Sequence, residues 1–247
     1  MRRARDDVTL GVGRSASPTS APRAGRERES GAEVLGLLRD DIRSGVLRPQ
    51  QRLKFEELRE RYQGSIASLR EALLHLTAEG MVSSEPNRGF AVAPVSLSDF
   101  LDITELRIQF EVQALSDSIK RGDDAWEAEI VTSLHLLLKT LNEGKGTRSE
   151  EWPARHRRFH QALVNGCRSP WLLHFRSVLF DQAERYRSLG RIYRRSPRNV
   201  GPEHKALADA VLARDVSKSC LLAEKHIRTT AENVISNVPD LQEARTR

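Results

Sequence analysis

The sequence predicts a mainly α-helical chain of two domains, a short N-terminal domain that carries one β-hairpin and a C-terminal bundle of helices. Apolar residues recur at intervals of three and four along most of the chain, which is typical of amphipathic helices. One strand–turn–strand pattern occurs between residues 81 and 94, and we identify no strand pattern after Ser96. The predicted segments are residues 1–30, 31–95, 96–238 and 239–247.

The two terminal segments are expected to lie outside the folded domains. Residues 1–30 are rich in Ser, Pro, Gly and Arg, and they bury too little apolar surface to offset the loss of chain entropy. This basic tail is therefore predicted to be disordered, either as a solvated leader or as a segment with weak affinity for DNA phosphates. Residues 239–247 are predicted to form a flexible tail.

The composition narrows the classes of function. Hydrophobic residues make up 38% and charged residues 30%, with no long apolar run, so we expect no membrane span and a cytoplasmic location. The two cysteines, Cys167 and Cys220, are too few for a disulfide framework. The net charge of +6 favours a polyanionic partner, although residues 31–95 hold nine basic and nine acidic residues.

The N-terminal domain is predicted to contain three helices followed by the hairpin. The first helix begins near Ala32 and ends at Gly45, and the third is stopped by Gly80. Helix, helix, turn, helix and hairpin within about 65 residues is the layout of a winged helix-turn-helix. The second helix, the third helix and the two strands are predicted at residues 53–62, 66–79, 81–84 and 90–94.

The C-terminal domain is predicted to be a bundle of six helices, because each apolar periodic segment ends at a Gly, Pro or polar break. The six helices are predicted at residues 97–121, 125–142, 149–166, 170–193, 202–214 and 217–236.

Several motifs in this order resemble a known family. Residues 45–96 resemble the DNA-binding domain of GntR-family regulators, and residues 97–236 resemble the FCD-type ligand domain of the FadR subfamily. The resemblance implies a transcription regulator that binds an operator in double-stranded DNA as a homodimer and senses a small ligand. The motifs are Leu69-Arg70-Glu71-Ala72-Leu73, Leu76, Glu79-Gly80-Met81-Val82 and Arg88-Gly89, then Leu106-Arg107 with Glu111, Phe159-His160, and Glu203-His204 with His226.

The candidate DNA contacts lie at the start of the second helix of the helix-turn-helix, which enters the major groove, and in the wing. The resemblance implies that Arg70 contacts a base or a phosphate, the alternative being a surface ion pair. Ser65 and Ser68 are candidate phosphate contacts, and Ser65 is also a candidate N-cap. The predicted wing contacts are Asn87, Arg88 and Gly89, where Gly permits a tight turn and Arg reaches the minor groove, unless this is an ordinary exposed turn.

The chain departs from the family pattern at positions that determine which operator is read. The family usually has Arg at position 66 and often at position 56, where this chain has Ile66 and Glu56. Thr-Pro is common at positions 67 and 68, which are Ala-Ser here. Lys54 is a candidate to replace one lost positive contact. These changes predict an operator different from the usual one, within an unchanged fold.

Four of the seven histidines are candidate metal ligands. His156 and His160 are four residues apart and therefore lie on one face of a helix, while His204 and His226 follow from the FCD-like motifs. A lone histidine is more often a core or surface residue, but four at family-matching positions favour a divalent transition metal, zinc before nickel. The family usually has Asp at position 156, so His156 makes the site more receptive to an anionic ligand.

Further residues are candidates for binding a small carboxylate effector. Arg107 and Glu111 lie one helical turn apart, and either they form an ion pair or Arg107 binds the carboxylate. Arg185, Tyr186 and Asn233 are the other candidates. We expect no enzymatic activity: His156 and His160 have the spacing of a metallohydrolase motif, but the position of its general-base Glu is Arg157.

Overall fold

The computed structural model describes residues 24–85, 88–142, 147, 149, 151–194, 198–239 and 241. The prediction of a mainly helical chain with a small wing is confirmed. Among the described residues, no helix is both long and apolar enough to cross a membrane.

The N-terminal domain has the predicted order of helices and hairpin. The sheet has three antiparallel strands in the order β1-β3-β2. Strand β1, where Arg52 pairs with Ala91 and Leu53 with Phe90, was not predicted. For this reason α2 begins at Phe55 and not at residue 53. The elements are α1 (Ala24–Ser44), β1 (Arg52–Leu53), α2 (Phe55–Tyr62), α3 (Ile66–Ala78), β2 (Val82–Glu85) and β3 (Gly89–Val92).

Helix α1 begins at Ala24, earlier than the predicted start near Ala32. This stretch reads AGRERES up to Ser30, and its Ala, Arg and Glu residues have high helix propensity, which apolar periodicity does not measure. The rest of the predicted tail, residues 1–23, lies outside the described residues.

One face of α3 is buried in the core of the N-terminal domain. Leu69, Leu73 and Leu76 are fully buried at intervals of four and three, and they pack against Leu38 of α1. Gly80 has φ of +72° and ends α3, as predicted, because a residue with a Cβ rarely adopts this conformation. The opposite face of α3 is left exposed.

The C-terminal domain is the predicted bundle of six helices, and their bounds agree with the prediction to within a few residues. Helix α6 starts later than predicted, at Trp152, with Pro153 in its first turn. The prediction that residues 239–247 are a flexible tail is wrong at Leu241, which is fully buried against α4, α7 and α9. The helices are α4 (Leu97–Arg121), α5 (Asp124–Asn142), α6 (Trp152–Val164), α7 (Pro170–Tyr193), α8 (Gly201–Leu212) and α9 (Val216–Asn237).

Helix α7 contacts the N-terminal domain as well as the bundle. Gln182 donates a hydrogen bond to the carbonyl oxygen of Glu79 at the end of α3, and the hydroxyl of Ser188 donates to the carbonyl oxygen of Arg43 at 2.6 Å. Asp181 pairs with Arg43 at 3.3 Å. The two domains are therefore joined through side chains on the middle of α7 as well as through the connecting segment.

Candidate metal centre, ligand cavity and DNA-binding surface

Four buried histidines converge at the centre of the bundle. His156 and His160 come from α6, His204 from α8 and His226 from α9. Each offers a ring nitrogen, and the four nitrogens lie within 4.8 Å of one another. The distances between the ring centroids range from 4.5 to 6.5 Å. The structure thus brings together all four histidines that the sequence analysis singled out.

The imidazoles have the electronic state that metal ligands need. Burial lowers the pKa of His156, His160 and His204 well below the ordinary value, and neighbouring Arg and His side chains lower it further. Burial also lowers the pKa of His226, against the opposing effect of Glu203. At neutral pH the four rings are therefore uncharged, and each has a nitrogen lone pair.

Two histidines in this cluster have buried nitrogens without hydrogen-bond partners among the described residues. These are both ring nitrogens of His204, which is fully buried, and Nε2 of His160. His226 uses Nδ1 to contact Glu203 Oε2 at 2.8 Å, which leaves its Nε2 directed elsewhere. Since unpaired buried polar atoms are costly, a set of four neutral imidazoles with a carboxylate behind one of them fits a divalent transition metal.

A small cavity, partly open to solvent, lies beside the histidines. His156, His204 and His226 form part of its wall. Asn233 also lines it, as predicted. The rest of the wall is cationic because it contains four arginines and no acidic side chain, namely Arg187, Arg191, Arg194 and Arg198. The arrangement suits an anionic ligand that reaches the histidine cluster.

The arginine wall was not predicted from the sequence. The four arginines follow one another at intervals of four, three and four, and this spacing was the available signal. Glu184 pairs with Arg187 and with Arg191, the latter at 2.8 Å, and Arg198 pairs with Glu203. Each acid therefore balances only part of the positive charge of the wall.

The structure excludes one of the two alternatives for Arg107, the ion pair with Glu111, although Arg107 is not among the residues that line the cavity. Glu111 does not pair with it but with Arg176, in a bidentate contact of 2.8 and 2.9 Å. Arg107 is only 3% exposed, and its Nε and Nη2 have no hydrogen-bond partner among the described residues. Its guanidinium lies 4.9 Å from the centroid of the Phe180 ring. Burial and neighbouring Arg187 lower the pKa of Arg107.

Two predicted effector ligands face elsewhere, so this part of the prediction is wrong. Arg185 donates to the carbonyl oxygen of Ala93 at 2.6 Å and to that of Pro94 at 3.3 Å. Tyr186 is fully buried, and its hydroxyl donates to Asp99. Both residues lie on a side of α7 that faces the interdomain segment and not the cavity.

The exposed face of α3 is the candidate surface for the major groove. Ser65 is the N-cap, as predicted, and its Oγ accepts from the backbone N–H of Ser68 at 3.0 Å. The prediction that Ser68 contacts phosphate is contradicted, because its side chain is buried and its hydroxyl donates to the carbonyl oxygen of Ser65. Arg70 is exposed, with its guanidinium 5.5 Å from the centroid of the Phe55 ring.

The remaining candidate DNA contacts lie at the start of α2 and in the wing. Lys54 is exposed and pairs with Glu57 at 2.8 Å. In the wing, Arg88 is exposed and pairs with Glu85 at 3.3 Å, and Gly89 has φ of +73°, which a Cβ would disfavour. Asn87 lies outside the described residues.

The sequence of this chain matches two families. Residues 31–92 match the bacterial regulatory proteins of the gntR family, and residues 102–229 match the FCD domain. The chain is also 37% identical to the uncharacterized HTH-type transcriptional regulator BphR of Paraburkholderia xenovorans, over 91% of this chain and 93% of BphR.

The chain is a GntR-family regulator with an FCD domain.

Other comparisons agree with this assignment. The regulator is 37% identical to the HTH-type transcriptional repressor GlaR of Escherichia coli, over 78% of this chain and 90% of GlaR. Its fold is similar to that of E. coli McbR/YncC, with a TM-score of 0.74 and 20% identity over 84% of this chain and 97% of McbR/YncC. The prediction of a DNA-binding transcription regulator, and not an enzyme, is confirmed by these relatives.

Proposed function

We propose that a small carboxylate effector, bound beside a metal ion in the FCD domain, controls the affinity of this regulator for its operator. The single observation that carries the proposal is the cluster of four buried histidines that opens into an arginine-lined cavity. The metal is zinc, with nickel as the alternative, because neutral imidazoles suit both ions.

The histidines hold the metal through their ring nitrogens, and Glu203 orients one of them. The contact between Glu203 Oε2 and His226 Nδ1 leaves His226 Nε2 for the metal, in the way that outer-shell carboxylates orient ligating histidines. A bound divalent ion supplies positive charge that attracts a carboxylate. Because all four protein ligands are neutral, the site keeps the full charge of the ion.

Arg107 and the arginine wall bind the effector. The unpaired Nε and Nη2 of Arg107 match the two oxygens of a carboxylate, which a guanidinium binds in a bidentate manner. Arg187, Arg191, Arg194 and Arg198 supply further positive charge along the cavity, and Asn233 adds an amide. Two acids behind the wall, Glu184 and Glu203, offset only part of this charge. The wall therefore stays positive and favours anions over neutral ligands.

Helix α7 transmits the binding event to the DNA-binding domain. Arg187 and Arg191 line the cavity, while Gln182 and Arg185 on neighbouring turns contact the end of α3 and the interdomain segment. An effector that binds two positions of α7 with different affinity therefore shifts α3, and an effector without such a difference shifts nothing.

The regulator binds its operator as a homodimer. One winged helix-turn-helix contacts a short half-site, and two related by a two-fold axis read a pseudo-palindrome. Arg70 and Lys54 contact the major-groove side, with Ser65 at the helix start, and the wing residues Arg88 and Gly89 approach the minor groove. Light scattering at micromolar concentration tests the dimer, and a monomeric mass would exclude it.

Two measurements test the whole proposal. A thermal-shift screen of small carboxylates, run with and without chelator, should give a melting temperature that rises with the effector and falls when the metal is removed. Gel-shift on a duplex from the regulator's own promoter region should then show that the stabilising carboxylate changes operator affinity. The absence of any stabilising carboxylate and of metal in the purified protein would refute the proposed control.

A further inference from the structure

The exposed face of helix α3 presents an isoleucine where DNA is bound. Ile66 is the first residue of α3 and is 50% exposed, although the helix is anchored through Leu69, Leu73 and Leu76 on another side. Ile66 and Arg70 are four residues apart and therefore lie on the same face. The packing of the domain thus gives no reason for an isoleucine at this position.

Helix geometry directs this side chain at base edges. In a helix-turn-helix, the N-terminal turn of the second helix enters the major groove. Ile66 and Ala67 are both exposed in that turn, and neither side chain can donate or accept a hydrogen bond. Placed against guanine, adenine or cytosine, an isoleucine would cover hydrogen-bonding groups without replacing their water, which is unfavourable.

Thymine is the base whose edge also offers an isoleucine an apolar partner. Thymine carries a 5-methyl group in the major groove, the only apolar group that the four base pairs present there. Contact between this methyl group and the Ile66 side chain removes apolar surface of both from water. Arg70, one turn along and supported by the Phe55 ring, is then placed over the adjacent base pair or its phosphate.

We infer that Ile66 is a specificity-determining residue of this regulator and selects a thymine in each operator half-site through its 5-methyl group. The selection is independent of the effector and of the metal, because Ile66 contacts neither.

The test begins with selection of preferred sequences from a randomised duplex pool by the full-length wild-type protein. The same selection is made with Ile66→Ala and with Leu74→Ala as a matched control. Leu74 is an equally exposed apolar residue, at 55%, but it lies two turns further from the groove-entering end of α3. The Ile66→Ala variant should lose the preference for thymine at one position of each half-site, whereas Leu74→Ala should keep the wild-type preference.

Deoxyuridine substitution then isolates the methyl group. Each thymine of the selected duplex is replaced in turn by deoxyuridine, which differs only in lacking the 5-methyl group. At the position that Ile66 reads, wild type should lose affinity by about fourfold, the factor that one buried methyl-sized group supplies. Ile66→Ala should lose none at that position. The comparison between proteins cancels any effect of deoxyuridine on the shape of the duplex.

A third variant reverses the chemistry. Ile66→Arg should move the preference at the same base pair from thymine to guanine, since arginine binds the O6 and N7 acceptors of guanine. An unchanged selected sequence for Ile66→Ala, an equal deoxyuridine effect in both proteins, or a retained thymine preference in Ile66→Arg would each overturn the inference. Melting curves confirm that the variants are folded, as expected for an exposed position.

Discussion

Replacing Arg107 by Met should make the effector-free protein more stable and, at the same time, less responsive to the effector. The guanidinium is almost fully buried, and two of its nitrogens lack partners among the described residues. A buried unpaired donor costs about 1–3 kcal/mol, so the two together cost roughly 2–6 kcal/mol. The contact with the Phe180 ring recovers about 0.5–2 kcal/mol of this.

The expected net gain in the free energy of unfolding for Arg107→Met is therefore about 2 kcal/mol. For a chain of this size it corresponds to a rise in melting temperature of roughly 4–8 °C. Loss of a charge-assisted hydrogen bond to the effector should cost about 1.5–3 kcal/mol, a roughly ten- to hundredfold weaker Kd. Metal content should stay at the wild-type level, because Arg107 is not a metal ligand.

Arg176 provides the matched control, since it is equally buried but fully paired. Arg176→Met removes the bidentate partner of Glu111 and leaves that buried carboxylate without its hydrogen-bonded ion pair. Breaking a buried ion pair in this way costs about 3–5 kcal/mol. Thermal and urea unfolding of both variants, with and without the stabilising carboxylate, measures the two effects. If Arg107→Met destabilises the protein as Arg176→Met does, Arg107 has a structural role and the reasoning is wrong.

Three further substitutions test the other parts of the regulator. Arg70→Ala should weaken operator binding in gel-shift by about 1–3 kcal/mol, with effector binding unchanged, and equal operator affinity would show that Arg70 is only structural. His204→Ala should weaken metal retention as measured by elemental analysis, whereas exposed His135→Ala retains it, and equal metal content would exclude the proposed site. Arg185→Ala should reduce the effector-induced change in operator affinity, for which about 1–3 kcal/mol is usual, without altering effector Kd; an unchanged response would refute the role of α7.

The sequence was most informative where several residues of a periodic segment pointed to the same element. The bounds of α4 and α7 agree with the prediction to the residue, because long amphipathic patterns end at clear breaks such as Gly122. Strand β1 has two residues, Arg52 and Leu53, and is too short to show any alternation. Strand β1 forms because it pairs with β3, and the sequence around residues 52 and 53 carries no information about that distant partner.

The site residues, too, could be predicted from the sequence only in part. Three of the histidines were found because they lie in family motifs, and His156 because it is four residues from His160, but periodicity does not say which neighbour a helix face meets. Arg185 and Arg187 differ by two positions and so point about 200° apart around α7, one to the interdomain segment and one to the cavity. Ser68 was misjudged because its position in the first turn of α3 allows it to bond back to Ser65.

On the proposed function, the arrangement around Glu184 links the sensing of an anion by α7 to the position of the DNA-binding domain. This buried carboxylate pairs with Arg187 and Arg191, two arginines of the cavity wall. An anion that draws these guanidinium groups toward the metal competes with Glu184 for them, and a buried carboxylate that loses its partners is costly. Since all three side chains lie on α7, a shift of α7 toward the anion lets the arginines bind the anion and still pair with Glu184, which relieves this cost. The same shift changes the contact of Gln182 with the end of α3, because both side chains are fixed to one rigid helix.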